Sequence, residues 1–418
     1  MMTEKEVIKS QKSQYSIVYF YSILMLSAGL IMGFSLELIK QLCTLIISPC
    51  LLFTDYFAIS SIGSSLINSG LLMFLVIYIA EKSNAEVNGL LIASVFIVGG
   101  FALFGKNLYN VISIYAGVYL YSLFKKETFS KHVTTANFGM SLAPLVSQVT
   151  FYMNLQPVIA FVSANIIGLI IGLILPSLSK SFTVFHKGFN IYNGGFTSGV
   201  IGMIFISLFR LTGYDFSTVR KFAEKTDARL VIFLIIYFSS MMIVGYISGK
   251  KPLKEYGRIF SYSGEPGTDF VKLEGFAAAL LNMGFMGISA MLFALLFKAP
   301  FNGPVTGAIL TVVGFSALSK HLLNTIPVVA GVVLAYLFAD RSMSDTVCMI
   351  NALFSTTLAP IAGYYGFSSG ILAGYLHASL VGNLLYLHGS MNLYNNGFSG
   401  GIIAAILVPL LETFKKKN

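Results

Sequence analysis

Apolar runs separated by short polar or Gly/Pro-containing stretches recur along the whole chain. In the first half they fall at about 16–36, 57–80, 89–105, 108–124, 134–153, 157–178 and 190–212. In the second half they fall at about 230–248, 273–297, 302–318, 321–338, 347–365, 367–387 and 396–412. Each run is near the ~20 residues that cross a bilayer as a helix. The pattern predicts an all-α, polytopic transmembrane protein of about 12–14 helices or re-entrant segments. Runs 134–153 and 347–365 both contain Leu-Ala-Pro, at Leu142–Pro144 and Leu358–Pro360. Proline breaks the helix ladder, and such breaks are tolerated in a membrane mainly where backbone lines a cavity. Either run could therefore re-enter rather than span.

The polar residues inside this pattern repeat. Shifting the chain by 214 residues places 54–124 on 268–338 without a gap, with about 22 identities in 71 positions. Asp55 falls on Asp269, Asn68 on Asn282, Asn88 on Asn302, Lys106 on Lys320 and Asn110 on Asn324. The Leu-Ala-Pro triplets follow at a shift of 216. A third match, at 202, joins HKGFNIYNGGFTSG (186–199) to HGSMNLYNNGFSGG (388–401). It aligns His186, Asn190, Tyr192 and Asn193 with His388, Asn392, Tyr394 and Asn395. The expected organisation is a first transmembrane repeat over 1–212, a connecting loop over 213–228 and a second repeat over 229–418.

Composition sharpens the membrane reading. Of 418 residues 56% are hydrophobic and only 11% charged, where a soluble domain carries about 25%. Tryptophan is absent, so the 22 tyrosines would have to supply the interfacial belts. The net charge of +10 lies in short loops and at the chain ends, which speaks for topology and not for nucleic acid. Lys5, Lys9 and Lys12, the loop with Lys250, Lys251, Lys254 and Arg258, and Lys415–Lys417 all suit a cytoplasmic face, with both termini inside. The loop with Lys125, Lys126 and Lys131 corresponds to one with Asp340, Arg341 and Asp345, which suits halves of opposite orientation. Against this, residues 210–229 are also basic although an inverted arrangement puts them outside; Asp215, Glu224 and Asp227 partly offset them. Cys43, Cys50 and Cys348 have no metal or redox spacing and read as small apolar residues.

An ionisable group inside a bilayer costs about 2.5–3.5 kcal/mol on insertion scales, so its presence in both halves needs a reason. Asp55 and Asp269 read either as vestibule carboxylates or as N-caps, since Thr-Asp is a good helix start. On a continuous helix, Asn68 and Asn282 would lie roughly 20 Å deeper. Lys106 and Lys320 stand four residues before Asn110 and Asn324, on one helix face. They could snorkel to the head groups, neutralise an aspartate or attract an anionic solute. The Tyr-Asn motif offers amides, hydroxyls and titratable His186 and His388, and its asparagine carbonyls could ligate Na⁺. A packing signature at a helix start is the alternative. There is no nucleotide-binding, metalloprotease, C-x-x-C or G-x-S-x-G motif, so no enzyme, metal site or cofactor is expected.

The strings SPCLLFTDYF, FGKNLYN, SLAPLVS and FNIYNGGFTSG resemble an uncharacterised family of bacterial and archaeal integral membrane proteins, a domain of unknown function of about this length. Asn302-Gly303-Pro304-x-x-Gly307 and Tyr192-Asn193 are more weakly similar to pieces of urea transporters, which are inverted repeats around a pore. The first half lacks the proline, and the spacings are longer. The expected function is transport of a small polar solute or ion across the cell membrane between two inverted halves, by a secondary transporter. A passive urea-transporter-like channel is one alternative. An intramembrane enzyme acting on a lipid-linked substrate is another. The expected partners are the solute and the lipid bilayer, with assembly into a homo-oligomer left open.

Overall fold

Twenty α-helices lie among the described residues of the computed structural model, which cover 4–216 and 220–414. Lys415–Lys417 and the side chains of Lys5 and Lys9 lie outside the described residues. The first half holds α1 (Glu4–Gly33), α2 (Leu38–Ile47), α3 (Tyr56–Ile59), α4 (Ile62–Lys82) and α5 (Gly89–Phe101). It continues with α6 (Leu108–Lys125), α7 (Val133–Gly139), α8 (Ala143–Phe151), α9 (Pro157–Phe185) and α10 (Asn193–Leu211). The second half holds α11 (Ala228–Ser248), α12 (Pro252–Ile259), α13 (Phe270–Leu273), α14 (Phe276–Leu296) and α15 (Gly303–Phe315). It ends with α16 (Leu322–Phe338), α17 (Thr346–Ser355), α18 (Ala359–Tyr365), α19 (Phe367–Val381) and α20 (Asn395–Phe414). Among the described residues eight helical stretches are long and apolar enough to cross a membrane, and the chain is an all-α membrane protein.

Polar side chains fix where several helices start. Asn88 Oδ1 accepts from Leu91 N at 2.9 Å to open α5, and Asn302 Oδ1 accepts from Val305 N at 3.1 Å to open α15. Asn107 and Asn110 form a reciprocal capping box at the start of α6. The two Leu-Ala-Pro sites are breaks: 3₁₀ turns at Met140–Leu142 and Thr356–Leu358 join α7 to α8 and α17 to α18.

Two expectations from the apolar pattern change. Helices α5 and α15 have 13 residues each, about 20 Å, so neither crosses the ~30 Å hydrocarbon core alone. The run from Asp55 to Asn68 is not one helix, because the chain turns at Ser60–Ser61 between α3 and α4. Glu274–Gly275 interrupts the corresponding run. The straight-helix depth of about 20 Å between aspartate and asparagine therefore does not hold.

Helices α5 and α15 form the centre. Every residue of α15 and all of α5 except Leu90 are buried, as expected of helices that are apolar all round. They run antiparallel: Gly89 lies against Leu318, Gly100 against Gly307, and Gly303 against Leu103. The backbones touch at Gly100 and Gly307, where an added Cβ would sit 2.5 and 2.3 Å from the facing carbonyl oxygen. Around this pair α1 packs on α4 and α11 on α14, α6 on α9 and α16 on α19, and α10 against α20.

Candidate functional site

Lys106 and Lys320 sit in the irregular breaks after α5 and α15, and both are completely buried. Snorkelling is thus ruled out, and neither lysine shares a helix with its asparagine, since α6 and α16 begin two residues later. Neither lysine meets a carboxylate among the described ion pairs. Each reaches the tyrosine of the opposite half: Lys106 Nζ donates to the Tyr394 hydroxyl and Lys320 Nζ to the Tyr192 hydroxyl. Lys320 also donates to Thr356 Oγ1 at 2.8 Å. Lys106 Nζ lies 4.6 Å from the Tyr394 ring centroid and 5.6 Å from that of Phe101. Lys320 Nζ lies 4.2 Å from Tyr192 and 5.2 Å from Phe315. Desolvated cation–π contacts of about 2 kcal/mol and a charged hydrogen bond of about 1.5–3 kcal/mol can offset the cost of placing an ammonium here. They do not neutralise it.

Aromatic pairs enclose the two lysines. Phe101 stacks on Phe354 with centroids 5.3 Å apart and touches Tyr394 at 4.6 Å. Phe315 lies 5.9 Å from Phe138 and 4.5 Å from Tyr192. Between the two tyrosines is a void of about 10 Å³, also lined by Phe101, Phe354, Leu393 and Gly397. That is about the space of one water.

A cavity lies at either end of the α5/α15 pair. One, of about 540 Å³, is lined by Asn88 at the start of α5 and by Phe138, His186, Asn190, Asn193, Asp269 and Ser319. The other, of about 920 Å³, includes Phe222, Asn351, Asp345, Arg341 and Arg220. It adjoins the start of α15, where Asn302 donates to Ala223 O at 3.3 Å. Because the two helices are antiparallel, these starts are about 20 Å apart. Lys320 stands toward the first cavity and Lys106 toward the second, with the two tyrosines between them.

The Tyr-Asn motifs are held by the breaks of the opposite half. Thr357 in the second break donates to Asn190 Oδ1 at 2.6 Å and accepts from Tyr192 N at 2.9 Å. In the first break Ser141 O accepts from Leu393 N at 2.9 Å. Asn190 donates to Gly397 O at 2.9 Å, and Asn392 to Gly195 O at 3.0 Å. Helices α10 and α20 meet at their first turns, where a Cβ on Gly195 would lie 2.9 Å from Gly397 Cα. His186 pairs with Asn193 at 2.9 Å and His388 with Asn395 at 2.8 Å. Asn193 and Asn395 in turn donate to Ser179 O and Val381 O. Both histidines are buried against their own motif, which makes them braces rather than interfacial groups.

The remaining sequence candidates tie helices together. Asp55 accepts from Phe57 N at 2.9 Å, from Gly303 N at 3.0 Å and from Ala223 N at 2.8 Å. Asp269 accepts from Lys272 N at 3.2 Å and, with both oxygens, from Gly89 N at 3.0 Å. Each aspartate thus caps its own short helix and also the central helix of the other half. Asn68 donates to Ala102 O and Lys106 O, both at 2.7 Å. Asn282 donates to Ser316 O at 2.8 Å and Lys320 O at 2.7 Å. These amides close the ends of α5 and α15 just ahead of the lysines. Asn110 and Asn324 cap α6 and α16. Asn88 and Asn302 cap the central pair, as described above.

Sequence reasoning missed Phe101, Phe315, Phe138, Phe354 and Thr356. The signal was available: Phe101 and Phe315 are 214 apart, and Phe138 and Phe354 are 216 apart, the shifts that align the polar residues. Thr356 stands opposite Met140 and carried no such signal.

No curated protein and no solved structure matches the chain. The likeness to urea transporters has no counterpart among the family matches. The two matched segments begin where α1 and α11 end, so each starts after the first helix of a half. Matched over residues 34–211 and 248–413, the chain belongs to the family described as protein of unknown function (DUF1576).

Proposed function

We propose that this protein is a secondary transporter of a small polar solute or ion in the cell membrane, with both termini cytoplasmic and its pathway between two inverted halves. The carrying observation is the pair of fully buried lysines, each bound to the other half's tyrosine between cavities at opposite ends of the central helices. Inversion is supported by α5 and α15, which occupy corresponding positions in the repeat and run antiparallel. An axis relating two such helices is perpendicular to both, and for helices along the membrane normal it lies in the membrane plane. Alternating access is favoured over a fixed filter because two phenylalanine pairs, one stacked and one tilted, and a water-sized void lie between the two cavities. In this reading one half moves on the other, and the exchanged lysine–tyrosine contacts open toward one side at a time.

Two measurements test it. In proteoliposomes holding the purified chain, uptake of the transported solute should saturate and should respond to an imposed Na⁺ or proton gradient. Uptake that never saturates and ignores every gradient would favour the channel. For topology, Lys187→Cys and Tyr386→Cys, both exposed, are made in a background lacking Cys43, Cys50 and Cys348. They should be labelled from opposite faces of the membrane. Labelling from one face ends the inverted arrangement.

A further inference from the structure

The centre of the molecule holds two lysine amines and, among the described residues, no carboxylate paired with either. Lys106 and Lys320 are completely buried and have no ion-pair partner among the described residues. The nearest acidic residues of the repeat, Asp55 and Asp269, are each engaged by backbone N–H groups at the ends of α15 and α5. An ammonium has three donors. Among the described contacts Lys106 places one, on Tyr394, and Lys320 places two, on Tyr192 and Thr356. Donors therefore remain on two buried amines that reach the void through Tyr192 and Tyr394, and no acid stands on the void's walls.

The helices around the void add to the positive field. Helix α10 begins at Asn193 directly after Tyr192, and α20 at Asn395 directly after Tyr394. Their first turns touch at Gly195 and Gly397, so two helix N-termini, each worth about half a positive charge, meet there. The C-terminal carbonyls of α5 and α15 are the available negative ends, and those of Ala102 and Ser316 are engaged by Asn68 and Asn282. Phenylalanine walls give a cation no oxygen ligand and the Asn396 Oδ1 on the void's wall is taken by His377 Nε2 at 2.8 Å, whereas a tyrosine hydroxyl that accepts from lysine still has its own proton to donate.

We propose that the solute is a small anion, bound between the halves with Lys106 and Lys320 as its counter-charges and the Tyr192 and Tyr394 hydroxyls as further donors. This rests on the transporter reading for its setting, but equilibrium binding tests it without transport. Binding widens the void and gives the two lysine amines the counter-charge that no described carboxylate supplies. The anion thereby supplies the acceptors that the chain itself omits.

The experiment is thermal unfolding of the purified full chain with sodium chloride, nitrate, acetate, succinate or phosphate, each against sodium HEPES at the same Na⁺ concentration. Urea and acetamide at low millimolar concentration form the neutral arm. At least one anion should raise the unfolding temperature saturably. Its affinity should fall about tenfold or more in Lys106→Met and in Lys320→Met, as expected for loss of a charged hydrogen bond. It should be unchanged in Lys250→Gln, a surface lysine away from the site. Should the Met variants not fold, the wild-type panel still decides. Stabilisation by no anion, or by an amide alone, overturns the proposal, and so does anion binding that persists at full affinity without either lysine. Anion binding without flux in proteoliposomes upholds this site and removes the transporter reading. Gradient-driven flux of an amide without anion binding does the reverse.

Discussion

Lys106 and Lys320 occupy corresponding breaks, yet Lys106 has one side-chain acceptor, Tyr394, where Lys320 has two, Tyr192 and Thr356. The residue that corresponds to Thr356 is Met140, which is also buried. The lysine shell is otherwise the same in both halves: a tyrosine from the other half, a phenylalanine at the end of the central helix and a second phenylalanine from the broken helix. The frame therefore repeats while the donor–acceptor balance differs. In the proposed transporter, alternation between two faces is a reason to keep the frame equal and to let the two ends of the path bind unequally. Lys106, with more donors unengaged, is the stickier end of the proposed site.

The widest gap between the halves should come from the tyrosines. Tyr394→Phe removes the only side-chain acceptor of Lys106 among the described residues, which should cost about 3 kcal/mol, the upper range for a hydrogen bond to a buried charge. Tyr192→Phe leaves Thr356 on Lys320 and should cost about half as much, roughly 1.5 kcal/mol. Thermal unfolding in detergent orders the two, and equal losses would mean that Thr356 does not support its lysine. Next come the asparagines, where the halves match. Asn68→Leu and Asn282→Leu should each cost about 2 kcal/mol, because each strands two buried carbonyls. A clear difference between them would show that the ends of α5 and α15 are not held alike. The smallest effect is also the sharpest. Met140→Thr gives Lys106 the partner that Lys320 has, and should recover about 1 kcal/mol, while Thr356→Val should lose about as much. Unfolding temperatures moving in opposite directions would confirm that this one position sets the difference.

Much of this architecture is legible in the chain. The apolar runs mark the helices, and the shifts of 214, 216 and 202 pick out the residue types kept in both halves. Asn88, Asn110, Asn302 and Asn324 could be read as helix starts because a cap acts on backbone two or three residues away. The N-cap reading of Asp55 and Asp269 was available for the same reason, and it is what their own short helices use. The turns at Ser60–Ser61 and Glu274–Gly275 were not visible, since serine, glutamate and glycine inside an apolar run only weaken a helix and do not say which way the chain goes.

The destination of each side chain across the halves was out of reach. Lys106 and Tyr394 are 288 residues apart, and Lys320 and Tyr192 are 128 apart. Their meeting depends on α5 and α15 crossing in close antiparallel contact at Gly100 and Gly307. The sequence by itself determined a helical membrane protein, and which residue types recur at fixed shifts between its first and second halves. Tertiary structure alone decided that the halves exchange them: each aspartate caps the other half's central helix, each broken helix holds the other half's Tyr-Asn motif, and each lysine rests on the other half's tyrosine. The physical reason is range. Periodicity and capping act over a few residues and are written locally, whereas the partner of a buried charge is set by how two helices pack.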